Sequence, residues 1–451
     1  MLNVGFAPNV ISGQDGPVDV FTRTYNRSIP GPTYRVRAGD VMNIRLINKL
    51  PPNNDPEPVN VYMPHRINST NLHTHGMHVS PSGNSDNVFL MINPGEVFDY
   101  SIPIPLNQYA GTFWYHPHKH GSVTTQFQGG MSGTIIVEGV ADEVPEIADA
   151  RDLVLVFQEL QLNDIGEVED PDITATNIAD VYPSDQTLYT VNGQLKPILR
   201  ARPGEVVRLR CVNATIGTFY PLALDDHELY LIANDGITLS EVETSETVFI
   251  GPGNRADILI KAGAPGTYTL RGLEFARSAN LVRDEVELMT LIVEGSPMDM
   301  GLPTLLPAPL APITDDEIIG TRELVFDTVE NTGQFPSGYT VNIAFTIDGG
   351  LYEEDVVNQL IQLNAVEEWT ITNNATEDHN FHIHTNPFEV VAINGETLDK
   401  PVWHDTILLQ RDGGSVTMRS RFVDFTGEFV LHCHILDHED LGMMQNVEVT
   451  D

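Results

Sequence analysis

Apolar and polar residues alternate along this chain in short segments that each begin at a turn. The first such element occurs three times, at residues 37–46, 202–209 and 363–371. This alternation is the pattern of a half-buried β-strand. A second strand-like element follows roughly 60 to 75 residues later in each case, at residues 111–116, 266–271 and 427–432. The chain is therefore predicted to contain three copies of one β-rich unit of about 150 residues, a size that suits a Greek-key sandwich.

Composition indicates where the three copies meet. Residues 131–139 have the pattern of a closing strand, and the acidic stretch 141–152 leads into the second copy. Residues 296–316 are rich in proline and leucine, which is typical of a long connection. The sequence thus predicts an all-β fold of three consecutive domains, at residues 1–140, 141–296 and 297–451. Helix should be scarce, and the helical turn expected is residues 435–439.

The charge balance excludes several classes of partner. The 451 residues include 63 Asp and Glu but only 24 Lys and Arg, a formal net charge of −39. Such a surface repels nucleic acid and anionic membranes, so neither is expected as a partner. The acidic surface either serves solubility alone or reflects adaptation to salt, because dissolved ions screen the repulsion between exposed charges. No uninterrupted apolar run is long enough to span a membrane.

The largest concentration of potential metal ligands lies close to the C-terminus, in Leu431-His432-Cys433-His434 and the loop that follows it. Alternate residues of a strand share a face, so His432 and His434 point to one side and Cys433 to the other. Two histidines, a cysteine and a weak axial methionine are the ligands of a blue-copper site. Cys433, His438 and Met443 supply all of them except one imidazole. The flanking histidines should then face a second metal centre, on the order of 10 Å away.

Three other segments of the sequence complete this arrangement. His379 offers the missing imidazole. Further His-x-His pairs are His73 with His75, His116 with His118, and His382 with His384. On a strand, the two rings of a pair leave the same face roughly 6–7 Å apart, which suits neighbouring metal ions in a cluster. One such pair is as often structural as metal-binding, but four such elements around one cysteine predict metal sites.

In these motifs the chain resembles the multicopper oxidases of the laccase type. All four family motifs occur in family order between positions 73 and 443, with no ligand position substituted. The resemblance implies three cupredoxin domains, in agreement with the repeat. Cys211 is expected to be a small buried apolar residue, and without a disulfide to Cys433 the chain is most similar to bacterial members.

The resemblance implies four copper ions: one type 1, one type 2 and two type 3. The type 1 ion would be held by His379, Cys433 and His438, with Met443 as axial ligand. The type 2 ion would be held by His73 and His382. The two type 3 ions would be held by His75, His116 and His434, and by His118, His384 and His432.

Aligning the three copies shows where these ligands are kept. Arg271 stands in the middle copy where His116 and His432 stand in the outer copies, so the middle copy should carry no copper. The first copy has Thr70 in place of His379, and it has Pro117 where the third copy has Cys433. Only the third copy can therefore build the type 1 site. The histidine cluster must lie between the first and third copies.

Two carboxylates are candidates for moving protons during oxygen reduction. Glu439 directly follows His438, a motif position where related bacterial oxidases use a glutamate to deliver protons. Asp86 lies thirteen residues after His73, a spacing at which fungal laccases place a carboxylate near type 2 copper. Asn84 marks the slightly earlier position used by bacterial relatives, and a plain loop role for Asp86 stays open. His404 is expected to be an ordinary residue at the surface or beside the ligands, but it lies in a stretch that resembles the Trp-x-Asp-Thr of related oxidases, which is in the sheet of their third domain.

The function implied is a laccase that oxidises small phenolic or aromatic reductants and reduces O2 to water. Electrons should enter at the edge of His438, the ligand expected nearest the surface. The alternatives are an oxidase of Fe(II) or Cu(I) and a copper-free scaffold. Three complete copies make a monomer sufficient. Family members from bacteria are typically exported, but residues 1–22 show no signal peptide, so both a processed exported form and a cytoplasmic protein stay open.

Overall fold

The computed structural model describes residues 1–14, 16–55, 59–171, 181, 184, 186–330 and 343–451. Most of these residues lie in β-strands, and the helices among them are short. The predicted all-β fold is confirmed. Among the described residues, no helix has both the length and the apolar character needed to cross a membrane.

The first sandwich contains the strands β1 (Leu2–Gly13), β2 (Val18–Tyr25), β3 (Tyr34–Arg37), β4 (Val41–Asn48), β5 (His73–His75), β6 (Val97–Pro103), β7 (Gly111–His116) and β8 (Gly133–Glu138), with helix α1 (Val123–Phe127) before β8. One sheet joins β2, β1, β4 and β6, and the other has the order β3-β8-β7-β5. Apolar side chains from both sheets form the core between them.

The middle sandwich follows helix α2 (Pro145–Asp149) and contains β9 (Arg151–Leu162), β10 (Gln186–Val191), β11 (Gln194–Leu195), β12 (Ile198–Ala201), β13 (Val206–Ala214), β14 (Tyr220–Leu224), β15 (Leu229–Asn234), β16 (Ile237–Ser245), β17 (Val248–Ile250), β18 (Arg255–Lys261), β19 (Gly266–Gly272), β20 (Phe275–Ala276), β21 (Val282–Arg283) and β22 (Val286–Val293). Its sheets are β16-β15-β18-β13-β9-β10-β11 and β12-β22-β19-β14-β17. A parallel pairing of β1 with β11 makes one continuous sheet of the first and middle domains.

The third sandwich contains β23 (Gly320–Glu330), β24 (Ile343–Ile347), β25 (Val357–Gln362), β26 (Ala365–Asn373), β27 (His379–Ile383), β28 (Phe388–Ile393), β29 (Glu396–His404), β30 (Thr406–Leu409), β31 (Gly414–Phe422), β32 (Gly427–Cys433) and β33 (Met444–Thr450), with helix α3 (Leu436–Asp440) before β33. Its sheets are β24-β23-β26-β31-β28-β29 and β25-β33-β32-β27-β30. The histidine-bearing strands β27 and β32 are neighbours.

The repeated segments are strands in all three domains, as predicted. The first element forms β4, β13 and β26, and the second forms β7, β19 and β32. The turn before the first element needs a residue with positive φ, and the chain places Gly39, Gly204 and Asn364 there. Glycine and asparagine adopt this left-handed conformation at the least cost.

Smaller predictions can be compared with the observed bounds. The helical turn expected at residues 435–439 is α3, one residue later in the chain. The predicted junctions 140/141 and 296/297 lie between strands, after β8 and after β22. The domain boundaries themselves stay predictions.

Candidate metal centres

Three side chains of the third domain converge on one buried point, which we call the cysteine site: His379, Cys433 and His438. Strand β27 begins with His379 and pairs with β32, which ends with Cys433, and helix α3 carries His438. Cys433 Sγ lies 3.5 Å from His379 Nδ1 and 3.8 Å from His438 Nδ1. The two Nδ1 atoms are 3.1 Å apart. The potential ligand atoms therefore form a compact triangle.

The chemistry of the cysteine site fits a copper ion. Burial lowers the pKa of His379 to about 3 and that of His438 well below its usual value, so both imidazoles are neutral and offer lone pairs. Burial raises the pKa of the Cys433 thiol to about 12, a shift that a bound cation would oppose by stabilising the thiolate. Two neutral imidazoles and a thiolate are the trigonal donor set of blue-copper proteins.

Met443 is fully buried in the same core as Cys433. The backbone N–H of Cys433 donates to the Met443 carbonyl at 3.0 Å, and the Met443 N–H donates to the His438 carbonyl at 2.9 Å. These bonds close the loop between Cys433 and Met443 around the cysteine site. The axial role of Met443 stays a prediction.

The expectation that the edge of His438 approaches the surface is wrong, because the side chain is 1% exposed. Its ring stacks on Phe345 with centroids 3.9 Å apart. Its outer nitrogen, Nε2, lies 3.9 Å from a carboxylate oxygen of Glu377, which in turn forms an ion pair with Arg277. Glu377 is 13% exposed and therefore lies between His438 and solvent.

A small cavity lies next to this edge. It has a volume of about 250 Å³ and is lined by aromatic, aliphatic and arginine side chains, among them Phe219, Phe275, Arg277 and Leu281. Phe219 belongs to the same apolar core as Cys433. Arg277 lines the cavity and pairs with Glu377, which in turn contacts His438, so two side chains connect the cavity to His438.

Eight buried histidines form a second centre, which we call the histidine cluster. Four come from the first domain and four from the third: His73, His75, His116, His118, His382, His384, His432 and His434. Two ring pairs stack across the boundary between these domains, His73 on His384 and His75 on His382, each with centroids 3.8 Å apart. The cluster therefore exists only where the first and third domains meet.

Several cluster nitrogens have no hydrogen-bond partner among the described residues, although they are buried. These atoms are Nε2 of His73, His116 and His382, Nδ1 of His75 and His384, and both ring nitrogens of His434. Burial lowers the pKa of all eight histidines, so the rings are neutral. Unpaired buried nitrogens are costly, and metal ions would satisfy them. The donor set fits copper.

The ligand atoms fall into groups within 4.8 Å of one another. One group is His75, His116 and His434, and another is His118, His384 and His432. A third contains His73 and His382 together with His75. The structure thus brings together the residues that the sequence assigned to each ion of the cluster.

Strand β32 connects the two centres. Cys433 lies in the apolar core of the third domain, while the rings of His432 and His434 lie in the cluster, 5.5 Å apart. The Nδ1–H of His432 donates to the Cys433 carbonyl at 2.9 Å, and this bond leaves Nε2 free for a metal. Consecutive residues of one strand therefore serve both centres, as the alternation of side chains requires.

Asp86 lies against the cluster, at the spacing noted in the sequence. Its carboxylate oxygen is 3.0 Å from His73 Nδ1, and it accepts a hydrogen bond from the Thr74 N–H at 2.7 Å. Burial raises the pKa of Asp86 to about 7. Asn84, the alternative, instead bonds through its side chain to the Asp99 carbonyl.

Glu439 lies on the other side of the cluster and is fully buried. Its oxygens are 3.4 Å from His118 Nδ1 and 3.2 Å from His432 Nδ1. Burial, together with the neighbouring Asp440, raises the pKa of Glu439 well above its usual value. The burial of the carboxyl group thus favours its protonated form beside two cluster histidines.

Sequence reasoning missed Asp405, which follows the noted His404. An Asp405 oxygen lies 3.2 Å from His75 Nε2, and the Asp405 carbonyl accepts a hydrogen bond from His382 Nδ1 at 2.8 Å. The Trp-x-Asp-Thr stretch was a signal that could have singled out this aspartate. Arg255, which holds Asp405 from 150 positions away, gave no such signal.

Comparisons with known proteins agree with this geometry. Three family models, each described as multicopper oxidase, match residues 13–142, 154–291 and 327–451. A multicopper oxidase of Staphylococcus epidermidis is 25% identical over 463 residues, covering 100% of this chain and 90% of the relative. A laccase of Bacillus stratosphericus is 26% identical over 486 residues, covering 94% of this chain and 90% of the relative.

A solved structure is similar over the whole chain. It is a multicopper oxidase from Campylobacter jejuni, described as a metallo-oxidase, which superposes with a TM-score of 0.81 at 24% identity, covering 100% of this chain and 91% of that one. At this identity the likeness shows the fold, three cupredoxin-like domains. With the family models matching all three domains, the chain belongs to the multicopper oxidase family of copper-dependent oxidoreductases.

Proposed function

We propose that this chain is a laccase-like multicopper oxidase, which oxidises phenolic or aromatic compounds one electron at a time and reduces O2 to water. The observation that carries the proposal lies at the end of strand β32, where Cys433 belongs to one centre while His432 before it and His434 after it belong to the other. The similarity to a laccase over 94% of this chain supports the choice of substrate class.

The chain's donors suit four copper ions. Type 1 copper would be held by His379, Cys433 and His438 with Met443, type 2 by His73 and His382, and type 3 by the groups His75, His116, His434 and His118, His384, His432. When bound, copper supplies one-electron oxidation at the cysteine site and four-electron reduction of O2 at the histidine cluster.

The protein's own residues contribute positioning, separation and protons. Cys433 and its two neighbours provide a short covalent path between the centres. The full burial of the cluster keeps O2 reduction away from the radicals formed outside. Glu439 would release its proton beside His118 and His432, and Asp86 would fix His73 through Nδ1.

The cavity beside Glu377 is the proposed docking place for the reductant. Its volume of about 250 Å³ and its aromatic lining suit one substituted ring. Arg277 in the lining pairs with Glu377, whose carboxylate lies 3.9 Å from His438 Nε2, so a bound ring would lie two side chains from that imidazole. A monomer suffices, since both centres form within one chain. Activity outside the cytoplasm is part of the proposal, because bacterial members are typically exported.

Oxygen uptake by the copper-loaded protein tests the substrate class. We expect 2,6-dimethoxyphenol to drive uptake much faster than Fe(II) or Cu(I). Copper-loaded Cys433→Ser protein is the control for oxidation by loosely bound copper. Faster uptake with a metal ion would contradict the laccase assignment but not the copper chemistry.

One observation favours a second function, the oxidation of metal ions. Glu377 forms an ion pair with Arg277 beside the cysteine site, and Glu159 and Asp437 interact electrostatically with the same guanidinium, so that three carboxyl groups lie near one cation. Such a charge excess attracts Fe(II) or Cu(I). Glu377→Gln would then slow metal-ion oxidation far more than phenol oxidation.

A scaffold without copper is disfavoured by the retention of every ligand residue.

A further inference from the structure

The middle domain carries none of the predicted copper ligands, yet one of its side chains reaches the histidine cluster. Arg255, at the start of β18, is fully buried where all three domains meet. It donates through Nε to the Thr112 carbonyl of the first domain at 3.2 Å. It also donates to the carbonyls of Asp235 and Gly253 in its own domain.

The remaining donors of Arg255 hold Asp405 of the third domain. Nη1 bonds one carboxylate oxygen at 2.7 Å and Nη2 bonds the other at 2.5 Å. All five N–H groups of the guanidinium are therefore used. A planar fork that binds both oxygens fixes the carboxylate in position and in rotation, which a lysine ammonium cannot do.

Asp405, held in this way, contacts two cluster histidines from different domains. Its carboxylate lies 3.2 Å from Nε2 of His75, so that the proton of this ring belongs on Nε2 and the unpaired Nδ1 offers the lone pair. Its carbonyl accepts the Nδ1–H of His382, which leaves Nε2 unpaired. These are the two rings that stack at 3.8 Å across the domain boundary.

The surrounding structure packs closely around Asp405 and its two neighbours in the chain. A Cβ added to Gly76, the residue after His75, would lie 2.1 Å from Arg255 Nη2 and 2.4 Å from an Asp405 oxygen. On the far side, Asp235 lies 2.9 Å from His404, and Asn254 of the middle domain donates to the Thr406 carbonyl at 2.7 Å. Both residues next to Asp405 are therefore held by the middle domain as well.

We propose that Arg255 is a positioning residue of the histidine cluster: by clamping Asp405 it sets the orientation and the metal-facing nitrogen of His75 and His382. The middle domain is then part of the metal centre, although it carries none of the predicted ligands. This inference rests on the proposed copper cluster. Partners that orient metal-binding histidines commonly affect metal affinity by 10- to 100-fold.

The test compares Arg255→Lys and Arg255→Met with Arg210→Met. Arg210 is a matched control, because it is equally buried in the middle domain, bonds to Asp142, Asp152 and Asp257 and contacts Thr112, but touches no histidine. The variants are loaded with copper and dialysed against a chelator. Copper per chain, the absorption bands at about 600 nm and about 330 nm, and thermal unfolding of the copper-free chain are then measured.

The wild type should keep copper at both centres. Both Arg255 variants should keep the 600 nm band of the cysteine site but lose cluster copper and the 330 nm band at about tenfold lower chelator concentration. The control should keep the wild-type ratio of the bands even if its unfolding temperature falls. Equal band ratios in Arg255→Lys and the control would overturn the inference. A wild type without cluster copper would overturn the proposed function as well, which separates the two failures.

Discussion

The two candidate centres differ in how the chain builds them. The cysteine site takes all of its residues from the third domain, between His379 and His438. The histidine cluster takes four residues from each of two domains and is braced by Arg255 from a third. One centre therefore depends on the folding of a single sandwich, whereas the other depends on the docking of all three.

The comparison also shows how little sequence change separates a metal-binding sandwich from one that lacks a site. In the first domain, Thr70 stands at the position of His379 and donates a hydrogen bond to Gln126 in helix α1. Pro117 stands between His116 and His118 where the third domain has Cys433. In the middle domain, Arg271 replaces the histidine and pairs with Asp225 and Glu285 at the surface. The same fold thus carries four candidate ligands of the cluster in the first domain, four of the cluster together with the cysteine site in the third, and none in the middle one.

The largest effect should come from removing the thiolate. Cys433→Ser should abolish the band at about 600 nm and reduce oxygen uptake to background, because the oxygen of serine is a poor ligand for a soft copper site. Cluster copper should stay bound, since its eight histidines are untouched. Absorption, copper analysis and oxygen uptake check this. Loss of all copper would show that the two centres are not independent.

A change at Glu439 should separate electron entry from oxygen reduction. Glu439→Gln should slow turnover by about 10²- to 10⁴-fold, the usual contribution of a positioned proton donor. In the variant, phenol should reduce the cysteine site as fast as in the wild type when oxygen is absent. Anaerobic stopped-flow absorption would measure this rate. Because a proton donor must be protonated, wild-type turnover should fall as the pH rises through the raised pKa of Glu439. An unchanged rate in the variant would remove Glu439 from the mechanism.

A change at Asp86 should weaken the cluster alone. Asp86→Ala removes the partner that orients His73, and cluster copper should be lost at about 10-fold lower chelator concentration, while the 600 nm band stays. Asp86→Asn keeps the shape of the side chain and tests whether its charge contributes to copper retention. Equal copper retention in the wild type and Asp86→Ala would contradict this role.

Acid should destabilise the copper-free protein through its histidines. Burial lowers the pKa of the cluster histidines and of His379 and His438 in the folded protein. The stability that these groups contribute is therefore fully present above about pH 6.5, the ordinary pKa of histidine, and it is lost as the pH falls below this value, because the unfolded chain then binds more protons. Buried carboxyl groups with raised pKa values act in the opposite direction and offset part of this effect, among them Asp86, Asp405, Glu439 and Asp440, but the ten histidines are expected to outweigh them. Thermal unfolding should be followed between about pH 7 and pH 5 in about 1 M NaCl, which screens the surface charge.

The matched variant for this titration is His384→Gln, which removes one of the buried histidines. Its unfolding temperature should fall less steeply with acidification than that of the wild type. A wild-type curve that rises on acidification in salt would contradict the sign of the effect.

The smallest effect concerns the charged surface. With a net charge of −39, added NaCl should raise the unfolding temperature, since screening weakens the repulsion between acidic side chains. A flat or falling unfolding temperature would exclude adaptation to salt.

Local patterns made the fold and the grouping of the histidines predictable. Alternation along β32 placed Cys433 opposite His432 and His434, and a thirteen-residue spacing drew attention to Asp86. Burial and long-range pairing were not predictable in this way. The His438 ring is buried by Phe345 and Glu377, which lie far from it in sequence.

Arg255 shows the limit most clearly. Its partners Thr112 and Asp405 lie 143 and 150 residues away, so no local spacing connects them. Only the docking of three domains brings these groups together. The ligands of a site can be found from motifs, whereas the residues that hold the ligands in place depend on the assembled fold.

The absorption spectrum of the copper-loaded wild type, taken with its copper content, tests the central claim most directly. Two separate centres on one chain predict about four copper ions, a strong band at about 600 nm from the cysteine site and a shoulder at about 330 nm from paired copper in the cluster. A loaded protein with neither band, or with one copper ion and no shoulder, would contradict the account of two linked copper centres.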